Sequence, residues 1–110
     1  MRAIKARIFL IQYFRMEYIS QNEIKKYAGK LEKAEFVWGK DQRLFHLMEE
    51  VGELSEVYLQ YTNKKKPPKD LNDIENGLAD IFDDILALSI LFDIDINNII
   101  GKALRDQNID

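Results

Sequence analysis

The sequence predicts an all-α protein with a four-helix-bundle-like core, and three observations support this prediction. Apolar residues recur at helical spacing in several long segments. Residue types that commonly cap helices precede these segments, and no convincing pair of strands is present. A length of 110 residues suits one domain. We therefore predict a single helical domain over residues 19–110, preceded by an N-terminal extension, residues 1–18.

The N-terminal extension has a mixed pattern. Ile4, Ile8 and Ile11 suit a helix, although the density of β-branched residues would also suit a strand. We favour a helix that docks on a neighbouring element. Gln12 and Arg15 interrupt the apolar stretch, and a membrane span needs about 20 apolar residues, so we interpret the segment as neither a signal peptide nor a span.

The first two helices of the predicted core have identifiable starts. Ser20 and Glu23 form a capping box. The helix that follows carries apolar residues at helical spacing, namely Ile24, Tyr27, Ala28, Leu31 and Ala34. Gly39 interrupts this pattern, and Asp41 is a suitable N-cap for a long second helix that runs to about Tyr61.

A loop with two prolines and four lysines, residues 62–70, separates the second and third helices. Asp70 or Asn72 caps the third helix, which runs from Leu71 to about Phe92. Its later part is apolar nearly all round, which predicts burial on several sides. A fourth helix starts near Asp95 and carries Ile96, Ile99, Ile100, Ala103 and Leu104.

The composition limits the classes of partner. The chain has 16 basic and 19 acidic residues, a net charge of -3, so it lacks the broad basic surface that binds nucleic acid. We expect no nucleic-acid partner and no membrane partner. The absence of cysteine excludes disulfides and thiolate metal ligands and fits a cytoplasmic protein. The single histidine, His46, cannot build a histidine-rich metal site by itself.

Two acidic stripes stand out on the second and third helices. On the second helix, Leu44, Leu47, Val51, Leu54, Tyr58 and Tyr61 share one side, whereas Glu49, Glu53 and Glu56 share the other and Glu50 lies at the border. On the third helix, Asp73, Asp80 and Asp84 form one narrow stripe. A charge run on a helix is most often a solvated surface, but the third helix is predicted to be largely buried.

Buried carboxylates need cations, and few basic residues lie near these stripes. Oxygen ligands select a hard cation, and Mg²⁺ typically shares its coordination sphere between carboxylates and substrate phosphates. Glu50 and Glu53 emerge about one turn apart, and an antiparallel third helix would bring Asp80 opposite them. The acidic stripes therefore predict a Mg²⁺ site, with Mn²⁺ as a substitute, that serves phosphate chemistry.

The motifs EEVGE at 49–53, LADI at 78–81 and LFDIDI at 91–96 together resemble the MazG-like all-α nucleotide pyrophosphohydrolases. The resemblance covers roughly residues 24–105. It implies Mg²⁺-dependent hydrolysis of the α–β bond of a nucleoside triphosphate, which releases nucleoside monophosphate and pyrophosphate. It also implies that Glu50, Glu53 and Asp80 bind metal, and that Glu49 or Glu50 orients or deprotonates the attacking water.

The chain departs from the family pattern at Gly77, where the resemblance leads us to expect a glutamate ligand. Asp73 and Asp84 flank this position on the same stripe, so we include Asp84 among the metal ligands. Asp83 is a weaker candidate, which we expect to contact solvent or a partner chain. If Gly77 prevents turnover, the alternative function is a regulatory homologue that still binds nucleotide or metal.

The resemblance also implies substrate contacts outside the acidic stripes. It places Trp38 against the nucleotide base, and it places Lys102 and Arg105 near the phosphates, although basic residues at the end of a helix also have a purely structural explanation. One short bundle encloses a nucleotide poorly. We therefore expect a homodimer or a homotetramer.

Overall fold

A computed structural model of the chain describes residues 17–34 and 38–105. In these ranges the fold consists of four α-helices without strands, which confirms the all-α class: α1 Gln21–Lys33, α2 Lys40–Tyr61, α3 Leu71–Leu91 and α4 Ile96–Arg105. The helix predicted over the first fifteen residues lies outside the described residues. Each described helix is either too short or too polar to cross a bilayer.

Two of the predicted helix starts are confirmed by hydrogen bonds. The Ser20 hydroxyl oxygen accepts from the Glu23 N–H at 3.1 Å at the start of α1. At the start of α3, Asp70 accepts from the Asp73 N–H at 3.1 Å, and the Asp73 carboxylate accepts from the Asp70 N–H at 2.9 Å. This reciprocal pair satisfies two backbone donors that a helix end leaves free.

The predicted N-cap of α2 is wrong. The helix begins at Lys40, with Gly39 as the N-cap, so Asp41 lies inside the first turn. The side-chain oxygen of Gln42 accepts from the Gly39 N–H at 2.5 Å. Gln at this position reaches back to the N–H of the cap residue, while Gly39 itself supplies no side-chain cap to the first turn.

Helices α2 and α3 form an antiparallel hairpin. Their contacts pair Gln60 with Lys69 near the loop, Leu54 with Gly77 in the middle, and His46 with Asp84 further from the loop. Of the described elements, these two helices make the most extensive contact with one another. The pairing brings Asp84 of α3 to the helix–helix seam, beside His46 of α2.

Both helices of the hairpin end in the same way. Asn63 and Asp93 have left-handed backbone angles, φ 63° and φ 57°, one residue beyond each C-cap. The N–H groups that follow close the helices, with Lys64 donating to the Leu59 carbonyl at 2.9 Å and Ile94 to the Ser89 carbonyl at 2.8 Å. Asn and Asp tolerate this conformation better than most residues, so both helices stop where the sequence permits it.

The other two helices pack near the far end of α3. Helix α1 contacts α3, where the Tyr27 hydroxyl donates to the Asp83 carbonyl at 2.9 Å. Asn97, which is buried, accepts from the Tyr18 and Ile19 N–H groups at 2.7 and 2.9 Å and donates to the Ile19 carbonyl at 2.9 Å. This side chain therefore ties the segment before α1 to the start of α4.

The described residues bury few apolar side chains completely. Ala87 and Ile96 are the buried apolar residues among them. Burial of α3 on several sides holds only for its later half, since Leu71 and Leu78 in its first half are 67% and 54% exposed. Contacts from α2 and α1 cover two sides of α3 and leave the side of Leu71 and Leu78 open.

Candidate functional site

The candidate site lies along the seam between α2 and α3. Arg43, His46 and Glu50 follow one another at spacings of three and four residues, so they share the face of α2 that meets α3. The His46 ring bridges two carboxylates, because its Nδ1 lies 2.7 Å from an oxygen of Asp84 and its Nε2 lies 3.1 Å from an oxygen of Glu50. The imidazole therefore links a carboxylate of α3 to one of α2.

Asp84 is a fully buried carboxylate whose two oxygens both have partners. One oxygen lies 3.1 Å from the Arg43 guanidinium, and the other contacts His46. A buried charge is retained when it is paired and hydrogen-bonded. Arg43 is therefore the direct counterion of Asp84, although few basic residues were expected near the acidic stripes. Arg43 precedes His46 by three residues, so the sequence could have placed both side chains on the same face of α2.

Asp83 connects the same cluster to α1. Its carboxylate accepts a 2.5 Å hydrogen bond from the Tyr27 hydroxyl and lies 3.8 Å from the Arg43 guanidinium. Burial, followed by the hydrogen bond and the negative charge of Asp83, raises the pKa of the Tyr27 phenol. Asp83 is about half exposed, so the expected contact with solvent holds, but its contact with Tyr27 depends on tertiary packing that helical spacing does not reveal.

The pKa of Glu50 is shifted by the neighbouring acids. Its side chain is 12% exposed. Partial burial raises the pKa of Glu50, and the negative charges of Glu53, Asp80 and Asp84 raise it further, while the charge of His46 opposes them. Glu53 and Asp80 therefore act electrostatically on Glu50, as the antiparallel arrangement of the two helices leads us to expect.

The neighbouring acids also raise the pKa of His46, and for a histidine this favours the charged form. The hydrogen bond with Asp84 raises the pKa of His46 most, the negative charges of Asp84, Glu50 and Glu49 add to it, and burial works against it. The imidazolium form is thus favoured between the two carboxylates. Glu49 lies close enough to contribute to this potential.

The negative charge of this cluster suits a divalent cation, but the described side chains are not arranged to coordinate one. Glu50, Glu53 and Asp80 offer hard oxygen donors in a region where negative charge is concentrated. Within the ranges 17–34 and 38–105, however, no three acidic or histidine side chains stand in an arrangement ready to hold a metal ion. Binding would require rotamer changes of these exposed or partly exposed acids.

Gly77 lies on the surface of α3 that faces α2. A Cβ at this position would lie 2.9 Å from the end of the Leu54 side chain. The glycine thus allows close approach of the two helices where the resemblance leads us to expect a glutamate. The two residues that flank it have other partners, since Asp73 caps α3 and Asp84 binds Arg43 and His46. Metal binding by Asp84 stays a prediction that would require an exchange of these partners.

Trp38 packs against the site at the start of α2. Its ring makes an edge contact with the His46 ring at 5.0 Å between centroids, and the Arg43 guanidinium lies 5.1 Å from its centroid. A cavity of about 180 Å³ opens beside it, lined by Ala28, Leu31, Glu32, Trp38, Arg43, Ile90 and Leu91. Pockets for drug-sized ligands are larger, at about 300–1,000 Å³. This cavity therefore has room for only part of a ligand.

The two basic residues predicted to meet phosphates lie on α4. Lys102 and Arg105 are exposed, and neither forms an ion pair with another described residue. The Arg105 guanidinium folds back over Gly101 of its own helix. Contacts between these residues and the cluster of α2 and α3 are absent from the described structure, so their role in phosphate binding stays a prediction.

Comparison of the chain with protein-family models, with curated proteins and with solved structures gives no match. The resemblance to the MazG-like family therefore depends on the quoted motifs alone.

Proposed function

We propose that this chain is a Mg²⁺-dependent nucleoside triphosphate pyrophosphohydrolase that acts in the cytoplasm and releases nucleoside monophosphate and pyrophosphate. The observation that carries the proposal is the closeness of three acids, since Glu50 contacts His46 at the helix seam and the charges of Glu53 and Asp80 act on it. Glu50 has His46 as its partner, but Glu53 and Asp80 form no ion pair with another described residue. A divalent cation is the natural partner of such a group.

Glu50, Glu53 and Asp80 are the residues that would hold the ion in this proposal, with Asp84 as a fourth ligand after exchange of its partners. When bound, Mg²⁺ or Mn²⁺ supplies neutralisation of phosphate charge and a lower pKa for a bound water. Carboxylate ligands that leave coordination positions open suit a phosphate substrate.

The remaining chemistry belongs to residues of the chain. Glu49 or Glu50 orients or deprotonates the attacking water, and the raised pKa of Glu50 makes its carboxylate a stronger base than an ordinary glutamate. His46 holds Glu50, and Asp84 in turn holds His46. This chain of contacts holds the Glu50 carboxylate at the seam between α2 and α3.

Substrate contacts are proposed at both ends of the nucleotide. The Trp38 ring forms one wall of the 180 Å³ cavity, which suits a base better than a whole nucleotide. Lys102 and Arg105 are proposed to meet phosphates, and a homodimer or homotetramer is proposed to complete the enclosure. These roles extend the proposal beyond the acidic cluster.

The direct test measures pyrophosphate release from a panel of canonical and modified nucleoside triphosphates with Mg²⁺. We expect Glu53→Gln and Asp80→Asn to lower the rate by at least about 10- to 100-fold, as loss of a group that supports a metal does. The matched control is Glu56→Gln, since Glu56 lies on α2 but is exposed and pairs with Lys65 at 2.7 Å. Failure of the wild-type chain to release pyrophosphate from any member of the panel would refute the enzyme.

A second candidate function is nucleotide or metal binding without turnover. The observation that favours it is the packing of Gly77 against Leu54, which leaves no carboxylate at the expected ligand position. Tight nucleotide binding in calorimetry, together with undetectable hydrolysis, would select it. Activity gained in Gly77→Glu but not in Gly77→Ala would then identify the missing carboxylate, since both variants displace the flexible end of Leu54.

A further inference from the structure

A groove with a basic rim follows one flank of α1, and we call it the lysine groove. Its volume is about 680 Å³, which lies within the usual range of ligand pockets, about 300–1,000 Å³. Four exposed lysines of α1 form its rim: Lys25, Lys26, Lys30 and Lys33. The apolar part of its lining comes from Ile19, Ile24 and Leu86, which are all partly buried. The groove therefore combines an apolar floor with a positively charged edge.

The charge of the lysine groove is opposite to that of the whole chain. The chain has a net charge of -3, yet the groove contains four lysines and one acidic residue, Glu23. Glu23 lies 3.5 Å from the Lys26 ammonium, and this exposed pair is weak. Lys25, Lys30 and Lys33 form no ion pair with another described residue. The groove is thus a local region of positive potential, which an acidic partner complements.

The helix dipole explains only part of this pattern. Lys30 and Lys33 lie in the last turn of α1, where positive charge stabilises a helix. Lys25 and Lys26 lie nearer the middle of the helix, where the effect of the dipole has faded. The rim therefore carries more positive charge than α1 needs for its own stability.

Three of the lysines form a straight row along α1. At 100° per residue, Lys26, Lys30 and Lys33 lie within about 60° of one another, and they span about 10 Å of the helix axis. Acidic residues at spacings of four and three on a second helix repeat at the same heights. Three same-side residues of an extended strand span about 13 Å and do not match this row. The spacing therefore favours a helical partner that lies alongside α1.

Gly29 leaves space beside the lysine row. It lies in the interior of α1, where a glycine destabilises the helix relative to alanine. A Cβ at this position would meet no described atom within 4 Å, so packing among the described residues does not require a glycine here. The missing side chain lets a partner approach the backbone of α1 closely.

Other occupants match the lysine groove less well. Residues 1–16 of this chain include four basic residues and no acidic residue, so their charge has the same sign as the rim. An anionic membrane binds a helix through an apolar face as well as through its lysines. The apolar side of α1 is turned towards α3, where the Tyr27 hydroxyl donates to the Asp83 carbonyl at 2.9 Å.

We propose that the lysine groove binds an acidic amphipathic helix of a partner protein. The carboxylates of that helix lie against Lys26, Lys30 and Lys33, and its apolar side chains pack on Ile24 and Leu86. The described lining of the groove includes no residue of α2, so this interface does not depend on the proposed hydrolysis.

The test measures fluorescence anisotropy of a labelled model peptide with the full chain. The peptide has roughly 18 residues, enough to form a helix on binding, with glutamates at spacings of four and three beside a row of leucines. We expect saturable binding that weakens as the salt concentration rises, because salt screens exposed charges. A peptide with lysine in place of every glutamate should not bind.

Charge reversal locates the binding site. Lys30→Glu combined with Lys33→Glu should weaken peptide binding by at least about 10-fold, since attraction at two positions becomes repulsion. The matched control is Lys64→Glu combined with Lys66→Glu, which makes the same change of net charge in the exposed loop between α2 and α3. We expect this control to bind the peptide as the wild-type chain does.

Filling the groove tests its shape separately from its charge. Gly29→Trp should also weaken peptide binding by at least about 10-fold, because the indole occupies the space that the partner needs. Gly52→Trp is the control, since a Cβ at Gly52 of α2 likewise meets no described atom within 4 Å. Circular dichroism checks that each variant keeps its helices, and Gly29→Leu replaces Gly29→Trp if the latter unfolds.

Three results would overturn the proposal. Peptide binding that is absent in the wild-type chain, or that survives both the lysine reversal and Gly29→Trp, would mean that the groove does not recognise an acidic helix. Binding to vesicles of phosphatidylserine and phosphatidylcholine without binding to the peptide would identify a lipid surface as the ligand. Self-association of the chain that the lysine reversal abolishes would identify a second copy as the occupant, since Glu49, Glu53 and Glu56 have the same spacing as the lysine row.

Discussion

The contacts of single residues explain how the seam between α2 and α3 accommodates several carboxylates. Asp84 is fully buried, yet both of its oxygens have a partner in Arg43 or His46. Its charge is therefore compensated inside the chain. Glu50 lacks such a partner beyond His46 and is surrounded by Glu53 and Asp80. The two carboxylates lie within reach of one imidazole but have different electrostatic environments.

The environment of Glu50 predicts a stabilising substitution. At neutral pH and without divalent ions, Glu50→Gln should raise the melting temperature by roughly 2–4 °C, the response of a domain of this size to about 0.5 kcal/mol. The reason is that the raised pKa of Glu50 reflects a charge that burial and three other acids disfavour. Differential scanning calorimetry measures the difference.

Added Mg²⁺ should reverse this order if the acids bind metal, because a ligand of the native state stabilises it. The wild-type melting temperature should then rise while that of Glu50→Gln changes little. Glu56→Gln serves as the control, since Glu56 is exposed and paired with Lys65. A wild-type melting temperature that is insensitive to Mg²⁺ would argue against the metal site.

His46 predicts a pH dependence with a defined sign. Its pKa is raised above the ordinary histidine value, chiefly by Asp84, so protonation stabilises the folded chain. This stabilisation is complete below the ordinary value of about 6.5 and is lost as the pH rises through the folded-state pKa. NMR titration can follow it cleanly, because the chain contains one histidine.

Asp83→Asn is a matched control for the histidine titration. Asp83 contacts Tyr27 and Arg43 rather than the imidazole, so its substitution should leave the His46 pKa almost unchanged. A wild-type His46 pKa at or below the ordinary value would contradict the contact with Asp84.

At the scale of elements, the ends of the helices set the register of the site. Reciprocal capping by Asp70 and Asp73 defines where α3 starts, and the left-handed residue Asn63 defines where α2 stops. The length of the intervening loop then determines which residues face one another along the seam. Asp80 lies at the level of Glu50 along the seam because α2 ends near Asn63 and α3 starts after Asp70.

The cap of α3 provides a prediction at this scale. Asp70→Ala should destabilise the chain by about 1 kcal/mol, since it removes the acceptor for the Asp73 N–H. Urea unfolding followed by circular dichroism measures the loss. Asn72→Ala is the control, because Asn72 was the other candidate cap and lies inside the first turn of α3. Equal losses in the two variants would contradict the assignment of the cap.

At the scale of the whole molecule, Asn97 joins distant parts of the chain. Its side chain bonds the backbone of Tyr18 and Ile19, almost 80 residues away. Asn97→Ala removes three hydrogen bonds to part-buried backbone groups and should cost roughly 1–3 kcal/mol in the free energy of unfolding. Urea unfolding checks this value, with Asn76→Ala on the exposed part of α3 as the control.

Hydrogen exchange gives an independent measurement of the same contact. The Tyr18 and Ile19 amides should be protected in the wild-type chain and should exchange faster in Asn97→Ala. If their exchange is already fast in the wild-type chain, the proposed link between the start of α1 and the start of α4 is absent.

The sequence alone determined the four described helices, the cap at Ser20 and the separation of acidic and apolar faces on α2, and it narrowed the cap of α3 to Asp70 or Asn72. These are local properties that backbone hydrogen bonding and 3.6-residue periodicity impose on short segments. The pairing of Arg43 with Asp84, the contact of Tyr27 with Asp83 and the closeness of Gly77 to Leu54 were decided only by tertiary structure. Each depends on the angle and distance at which two helices pack, and spacing along one helix contains no information about either.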